Sequence, residues 1–224
     1  MRSAICCLAL LALAPGTARA AACVPRVAAP ASARQLVTVD AATTATTRAT
    51  VRLWQRTADG CWTAAGGPWS ARVGRNGLSA HHREGDGTTP VGSFRFGPVV
   101  YGVGADPGVR FAYHRLVCGD WWDEDPRSSA YNTFQHVRCG ARPRFGGTSE
   151  ALWRATRAYR HFAVIDYNIA PAVPGRGSAI FLHAGLGTAT NGCVSLPLPR
   201  LLRVLRWLDP AAWPVIVIGA RGGS

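Results

Sequence analysis

Lysine is absent from this 224-residue sequence, and all 25 basic residues are arginine. The absence excludes Schiff-base catalysis and a lysine general base, and it excludes a P-loop nucleotide site, because that motif needs a lysine. Acidic residues are also few, and 12 of them against 25 arginines give a formal net charge of +13. The arginines are dispersed and no aromatic–basic recognition motif is present, so we expect no nucleic-acid partner.

Several catalytic motifs are missing as well. The sequence contains no Gly-x-Ser-x-Gly, no His-Glu-x-x-His, no Gly-x-Gly-x-x-Gly and no Cys-x-x-Cys. These absences argue against a serine-hydrolase elbow, a zinc-protease helix, a dinucleotide site and a thioredoxin-like redox role. We therefore expect neither a metal nor a cofactor.

No apolar run is long enough to span a bilayer, so we expect no stable membrane span. Residues 1–20 have the features of a secretory signal, with Arg2, a short apolar run and a small-x-small site at Ala18–Ala20. The alternatives are an apolar core helix, and a lipoprotein with lipid on Cys23. Residues 21–33, rich in Ala and Pro, are predicted to be a linker before one domain over 34–220. Export predicts a secreted, periplasmic or cell-wall protein whose charge would attract polyanionic wall polymers, or would only keep it soluble.

The cysteines can be interpreted in the light of export. Removal of residues 1–20 leaves an odd number of cysteines: Cys23, Cys61, Cys118, Cys139 and Cys193. In an oxidising compartment four can pair, and proximity suggests Cys23–Cys61 and Cys118–Cys139, although spacing does not fix connectivity. Cys193 would then be the free thiol. The alternative is a zinc site formed by two short His/Cys pairs, His114 with Cys118 and His136 with Cys139.

Short apolar runs separated by Gly and Pro predict a single domain that is mainly β with a few α-helices. The predicted strands are 35–40, 49–56, 69–73, 94–96, 164–167, 179–183 and 215–218. One helix is predicted over 149–161, because Ser149 can cap it and Glu150 places an acid in its first turn. A second is predicted over 199–208, where leucines form one apolar face and arginines lie away from it.

The candidate catalytic residues lie in the segments 177–185 and 190–195. A buried strand ends in His183, a loop of small residues follows, and Gly192 precedes Cys193. A free thiol has a pKa of about 8.5, so a nearby imidazole that accepts its proton would create the nucleophile. Backbone N–H groups of Asn191, Gly192 and Cys193 could then hold an oxyanion. The alternatives are a buried structural thiol and a strand-end histidine satisfied by a carbonyl.

These residues resemble the catalytic motif of the L,D-transpeptidase (YkuD-like) family, a histidine followed by Ser/Thr-x-Gly-Cys. His183 matches the histidine, and Thr190, Gly192 and Cys193 match the rest. Residues 85–94 are similar to the family's Thr-Pro-x-Gly-x-Phe entry segment. The resemblance implies a β-sandwich-like L,D-transpeptidase catalytic fold and a backbone carbonyl that orients the imidazole. The sequence departs from the pattern at Ala184 and Ser195, where many members have glycine and arginine, and in its shorter His–Cys gap.

The resemblance also implies a substrate, the peptidoglycan stem peptide, which is cut through a cysteine thioester. An amine acceptor would make the enzyme a transpeptidase, whereas water would make it an L,D-carboxypeptidase or endopeptidase. Two other hypotheses stay open, a non-catalytic wall-binding module that kept the fold and a thiol protease acting on ordinary protein.

Two polar–aromatic groups are candidate substrate contacts. Trp122 and Asp123 lie in an acidic loop that could recognise a free amine of a stem-peptide diamino acid, or could be solvated or paired with arginine. Tyr131 and Asn132 could line a cleft, or could pack in the core with their polar atoms satisfied.

Overall fold

A computed structural model describes residues 29–221 of the protein. The predicted signal over 1–20, most of the predicted linker and Cys23 lie outside these residues, and so does the predicted pairing of Cys23 with Cys61. Within the described range no helix is long and apolar enough to cross a membrane.

Among residues 29–221, most of the regular secondary structure is β-strand. They form one α-helix, α1 (Leu198–Trp207), and three 3-10 turns (Leu152–Arg154, Ala158–Arg160 and Pro210–Ala212). The strands are β1 (Gln35–Ala41), β2 (Arg48–Arg56), β3 (Trp62–Arg72), β4 (Leu78–Ser79), β5 (Thr89–Pro90), β6 (Gly92–Gly102), β7 (Ala112–Arg115), β8 (Asp120–Asp123), β9 (Thr133–His136), β10 (Glu150–Ala151), β11 (Phe162–Ile165), β12 (Phe181–Ala184), β13 (Val194–Leu196) and β14 (Val215–Ala220).

The main sheet closes on itself. Its strand order is β11-β12-β13-β3-β2-β1-β14-β6, β6 also pairs with β11, and β7 extends the sheet from β6. Closure leaves few unpaired strand edges and encloses one apolar core. The predicted mainly-β fold is confirmed, and each of the seven predicted strands overlaps an observed one.

Period-2 alternation explains how the strands face the core. In β2, Ala49, Val51 and Leu53 are buried while their neighbours are more exposed. Helix α1 contributes Leu201 and Leu205 to the same core and packs against β12 and β13. The helix predicted over 199–208 is therefore confirmed within one residue at each end.

The helix predicted over 149–161 is wrong. Glu150 and Ala151 pair with β8 instead, and only two 3-10 turns follow. The reason is that the hydroxyl predicted to cap the helix is engaged elsewhere. The Ser149 hydroxyl donates to the Gly146 carbonyl at 2.7 Å and accepts the Glu124 N–H at 3.0 Å. A hydroxyl held by a turn and by the neighbouring strand does not cap a helix.

A small sheet of β10, β8 and β9 covers the outer face of β11 and β12. Trp122 of β8 meets the Phe181 ring of β12 edge-on, with the ring centroids 5.0 Å apart. A second apolar cluster fills this contact, and Cys193 packs against it. The small sheet therefore forms a wall beside the predicted catalytic thiol.

The predicted Cys118–Cys139 disulfide is present beside this sheet. Its formation consumes both thiols of the alternative zinc site. The two histidines of that alternative bond to one buried carboxylate instead, with His114 Nε2 at 2.8 Å and His136 Nδ1 at 2.7 Å from Asp120.

Candidate active site

Two parallel strands bring the motif histidine and cysteine to one face. In the β12–β13 pair Leu182 is opposite Val194 and His183 is opposite Ser195. Successive residues of a strand point to opposite faces. Leu182 and Val194 enter the core, so His183, Ser195 and the preceding Cys193 share the outer face. All three line a cavity of about 560 Å³.

Thr190 fixes the turn that leads into Cys193. Its N–H donates to the Val73 carbonyl at 2.9 Å, which ties the turn to the end of β3. Its hydroxyl donates to the Cys193 carbonyl at 2.6 Å and accepts the Gly192 N–H at 3.2 Å. The motif threonine therefore holds the backbone on both sides of the thiol. The Gly192 N–H, a predicted oxyanion donor, faces this hydroxyl.

Gly192 occupies a position that a larger residue would strain. Its φ is +156°, and an added Cβ would lie 3.1 Å from the Thr88 carbonyl oxygen and 3.1 Å from Ile180 Cδ1. Glycine alone tolerates both the conformation and the close approach. The motif glycine thus allows the chain to pass close to Thr88 immediately before Cys193.

The Cys193 thiol is held by backbone groups. It donates to the Ala179 carbonyl at 3.2 Å, and its Sγ accepts the Phe181 N–H at 3.4 Å. Burial raises the thiol pKa well above its usual value, the negative charges of Glu150 and Glu124 raise it further, and the Phe181 N–H opposes the shift. Without substrate the sulfur is therefore protonated at neutral pH.

His183 is oriented to accept a proton. Its Nδ1 donates to the Ala184 carbonyl at 2.9 Å, which leaves Nε2 as an acceptor. Burial lowers the pKa of the ring, and the Ala184 hydrogen bond opposes this in part, so the imidazole is neutral at pH 7. Among the described residues no hydrogen bond joins the imidazole to the thiol; both groups open into the same cavity.

Ser195 adds an unpaired hydroxyl beside the histidine. Its side chain is 1% exposed, and its Oγ has no hydrogen-bond partner among the described residues. A buried hydroxyl without a partner is costly, and such groups often face a ligand. The residue that departs from the family pattern therefore lies opposite the candidate base.

The side chain of Asn191 is held by an arginine. The Arg75 guanidinium donates to its side-chain oxygen and to the Gly85 carbonyl, and the Arg75 N–H donates to the Thr190 carbonyl at 2.7 Å. Arg75 therefore braces the loop before Cys193 from the outside. No motif in the sequence pointed to this residue.

A second cavity of about 400 Å³ opens on the other side of Cys193. Its walls carry three carboxylates, from Glu84, Glu124 and Glu150. His82 also lines it and is buried, with Nδ1 at 2.9 Å from Asp86. Glu124 follows Asp123 in the acidic loop identified from the sequence, whereas no sequence signal placed Glu84 or Glu150 at a cavity.

The four candidate substrate contacts are absent from the walls of both cavities beside Cys193. Trp122 is buried against Phe181, and Asp123 accepts the Ser128 hydroxyl and the Asp125 N–H. The Tyr131 hydroxyl donates to Glu84, so Tyr131 supports a cavity wall from behind.

Asn132 supports the thiol site indirectly. It is 1% exposed, and its side-chain oxygen accepts the Ala179 N–H at 3.0 Å and the Trp122 indole N–H at 2.9 Å. Ala179, at φ +53°, is in the left-handed region, and its carbonyl oxygen accepts the hydrogen bond that the Cys193 thiol donates. The contacts of Trp122, Asp123, Tyr131 and Asn132 with substrate stay predictions.

Comparison with known proteins identifies the family. A search of curated proteins finds no match to the chain. The family model for the L,D-transpeptidase catalytic domain (YkuD) matches residues 36–217, which is most of the sequence and nearly all of the closed sheet. Enzymes of this kind act on peptidoglycan of the cell wall, and the match includes His183, Thr190, Gly192 and Cys193. The chain therefore belongs to the L,D-transpeptidase catalytic domain (YkuD) family.

Proposed function

We propose that the protein is an exported cysteine acyltransferase that performs L,D-transpeptidation on peptidoglycan stem peptides through a thioester on Cys193. One observation carries the proposal: the Cys193 thiol and the His183 imidazole, whose Nε2 is left as an acceptor, open into the same cavity. A nucleophilic thiol and a general base are the two groups that acyl transfer by a cysteine requires.

In the first step the thiol proton moves to Nε2 of His183 while Sγ attacks the carbonyl carbon of the scissile peptide bond. A C–S bond forms, the C–N bond breaks, and the leaving amine takes the proton from His183. Because the pKa of the thiol is raised, the proton leaves the sulfur only when substrate binds. Substrate displaces the hydrogen bond from the thiol to the Ala179 carbonyl, and the thiol proton then comes within reach of the imidazole.

In the second step an acceptor amine attacks the thioester carbon. Its proton passes to Nε2 of His183 while the new C–N bond forms and the C–S bond breaks. The released sulfur then takes the proton from His183, which restores the thiol. Water in place of the amine gives the carboxypeptidase or endopeptidase outcome with the same residues. The open 560 Å³ cavity beside His183 gives room for either acceptor.

Export belongs to the same proposal. Residues 1–20 would direct secretion, residues 21–33 would link, and residues 34–220 would form the catalytic domain in the periplasm or cell wall. The Cys118–Cys139 disulfide supports this, because disulfides persist in oxidising compartments.

The decisive experiment is mass spectrometry of purified muropeptides incubated with the protein and with Cys193→Ala. We expect a cross-linked product, an acyl adduct on Cys193 with a carbapenem, and neither with Cys193→Ala. Tripeptide products without cross-links would assign the carboxypeptidase reaction. Turnover that survives in Cys193→Ala would overturn the proposed mechanism.

A further inference from the structure

A third cavity, of about 430 Å³, lies beside the start of β2 and the end of β3. Three arginines line it, Arg48, Arg72 and Arg221, together with a single acid, Asp40. Cys193 is not among its lining residues, so the proposed acyl transfer makes no use of this space. The concentration of arginine here therefore needs an explanation of its own.

Two of these arginines are directly opposite each other. Arg48 of β2 and Arg72 of β3 are partners in an antiparallel pair. Their neighbours Ala49 and Ala71 are buried in the core, so both arginines point to the outer face of the sheet. Like charges in directly opposite positions destabilise a sheet. An anion between the two guanidinium groups would remove this repulsion.

The acid that lines the cavity does not neutralise the arginine pair. The Asp40 carboxylate is paired with Arg52, at 3.2 Å from its Nη1. Among residues 29–221, no ion pair joins Arg48, Arg72 or Arg221 to an acidic side chain. The cavity therefore keeps an excess of positive charge.

Arg72 also has a buried donor without an acceptor. Its Nε is buried and has no hydrogen-bond partner among the described residues. Ser195 is opposite Arg72 on β13, but its Oγ is unpaired as well, so the two side chains do not bond to each other. A buried N–H without an acceptor is unfavourable. An oxyanion bound at the Nε edge of the guanidinium would supply the acceptor.

Hydroxyl groups complete the surroundings of the pair. Thr50 and Ser70 are the next partners on the same face of β2 and β3, and both line the cavity. A hydroxyl can donate a hydrogen bond to an anion. The Arg221 N–H donates to the Ala41 carbonyl at 3.0 Å, which fixes the backbone of the third arginine beside β1. Guanidinium and hydroxyl donors thus surround one space.

A phosphate group fits these donors better than a carboxylate does. The planar fork of arginine binds either anion through two parallel hydrogen bonds. A carboxylate has two oxygens, which one guanidinium can already occupy. Phosphate offers more acceptor oxygens, so it can bridge Arg48 and Arg72 at the same time. Because Arg48 and Arg221 are exposed, a phosphate that is part of a larger molecule can also enter.

The cavity lies on the same face as the candidate catalytic residues. Arg48, Arg72, Ser195 and His183 are successive cross-strand partners on β2, β3, β13 and β12. Neighbouring strands are about 4.8 Å apart, so the backbone of His183 is about 10 Å from that of Arg72 and about 14 Å from that of Arg48 along the sheet. An anion in this cavity is therefore near the candidate active site but outside it.

We propose that the cavity formed by Arg48, Arg72 and Arg221 is a phosphate-binding site, separate from the candidate active site. Arg48 and Arg72 bind the phosphate oxygens from adjacent strands, and Thr50 and Ser70 donate further hydrogen bonds. The ligand is a phosphate group, either free or within a phosphodiester. A phosphodiester polymer held here would lie on the face of the sheet that carries the candidate active site.

The test is calorimetric titration with two probes, sodium phosphate and a short poly(glycerol phosphate) chain, at constant ionic strength set with sodium chloride. The proteins are the wild type, Arg48→Gln and Arg72→Gln. The matched control is Arg142→Gln, which removes the same charge from an exposed arginine that does not line the cavity. Thermal melts verify folding, and Arg48 is exposed, so its variant tests the site even if Arg72→Gln does not fold.

We expect Arg48→Gln and Arg72→Gln to weaken the binding of phosphate by about ten- to a hundredfold, as for the loss of a charge-assisted hydrogen bond. Arg142→Gln should bind as the wild type does. Whichever probe binds more tightly identifies the source of the phosphate, a free anion or a phosphodiester. Absence of binding to the wild type, or equal weakening in Arg142→Gln, overturns the site.

Thermal melts in chloride and in phosphate provide a second readout. In chloride Arg48→Gln should be at least as stable as the wild type, because it removes the like-charge pair. Phosphate should then raise the melting temperature of the wild type more than that of the variant, since it binds the folded wild type more tightly. An Arg48→Gln variant that is destabilised equally in both buffers would show a structural role and overturn the proposal.

The location of the site is tested at Cys193. Acylation of Cys193 by a carbapenem should proceed at the same rate in saturating phosphate, because the bound anion lies outside the two cavities that reach the thiol. Phosphate that competes with the carbapenem would place the anion in the candidate active site and overturn a separate site. Failure of Cys193 to acylate with or without phosphate would count against the proposed function, and the titrations would still decide the phosphate site.

Discussion

The Nδ1 atom of His183 donates a hydrogen bond to the carbonyl oxygen of Ala184, the next residue in the chain, at 2.9 Å. This bond fixes the tautomer in which Nε2 is the acceptor, without an acidic partner. The Tyr159 ring meets the imidazole edge-on, with centroids 5.9 Å apart, and limits its rotation. A backbone carbonyl thus takes the orienting role that a carboxylate has in many triads.

Replacement of the candidate base should slow acylation without unfolding the protein. We expect His183→Gln to reduce the rate of Cys193 acylation by about 10²- to 10⁴-fold, because glutamine cannot accept the thiol proton. The acidic limb of the wild-type pH profile should lie below the ordinary histidine pKa of about 6.5, since burial lowers the pKa of His183. Stopped-flow acylation by a carbapenem at a series of pH values measures the rate and its pH profile. The control variant, His81→Gln at an exposed histidine, should leave the rate and the pH profile unchanged. An unaltered acylation rate in His183→Gln would exclude His183 as the base.

The resting thiol should react slowly with simple alkylating agents. Burial raises the pKa of Cys193, so the thiolate fraction at pH 8 is far smaller than for an ordinary cysteine. We expect iodoacetamide to label Cys193 more slowly in the folded protein than in guanidinium, and the folded rate to keep rising above pH 9. Peptide mass spectrometry locates the label, and Cys193→Ala provides the background. A labelling rate that levels off below pH 8 would contradict the raised pKa.

Asn132 should matter for stability and for the thiol together. Asn132→Ala removes two bonds from its side-chain oxygen and the bonds its amide donates to the Tyr167 and Asn168 carbonyls. It also places alanine at φ +61°, where asparagine is more readily accommodated. We expect a loss of about 2–4 kcal/mol in the free energy of unfolding, measured by urea denaturation.

The control for Asn132 is Asn76→Ala at an exposed position, where only one side-chain hydrogen bond, from Nδ2 to the Asp86 carbonyl, is removed, so we expect a smaller loss of stability than in Asn132→Ala. Because Asn132 holds Ala179 in place, its variant should also change the labelling rate of Cys193, whereas Asn76→Ala should not. An Asn132 variant as stable as the wild type would show that these buried bonds contribute nothing net.

Glu124 should make stability fall as the pH rises. Its pKa is raised to about 9 in the folded protein by burial and by Glu150, Glu84 and Asp123, with Arg75 and His82 also in the cavity, whereas its ordinary value is 4.5. The folded state therefore binds more protons between these values, so the contribution is complete below pH 4.5 and is lost as the pH approaches 9. We expect Glu124→Gln to gain stability relative to the wild type across this range, measured by thermal melts at several pH values. If the melting temperatures of the wild type and of Glu124→Gln depend on pH in the same way, Glu124 is not a buried acid with a raised pKa.

Local sequence patterns determined a large part of the fold. Alternating apolar residues in β2 and the leucine face of α1 predicted those elements, because side-chain periodicity depends only on neighbouring residues. The same logic failed at Ser149, where the cap signal was genuine but its hydroxyl was taken by Gly146 and by the Glu124 N–H of another strand. Short strands such as β7 and β8 carried too few residues to show a period.

In the candidate site, too, some features were predictable from local sequence and others were not. His183, Thr190, Gly192 and Cys193 could be named from the sequence, since they lie within one short segment of a known motif. Only the closed sheet decided what surrounds them, because it places the Ala179 carbonyl at the thiol. It also gathers around Cys193 three glutamates from separate parts of the chain. Short-range spacing thus encodes the reacting groups, whereas their protonation and the charge of the cavity arise from burial and long-range contacts that exist only after folding.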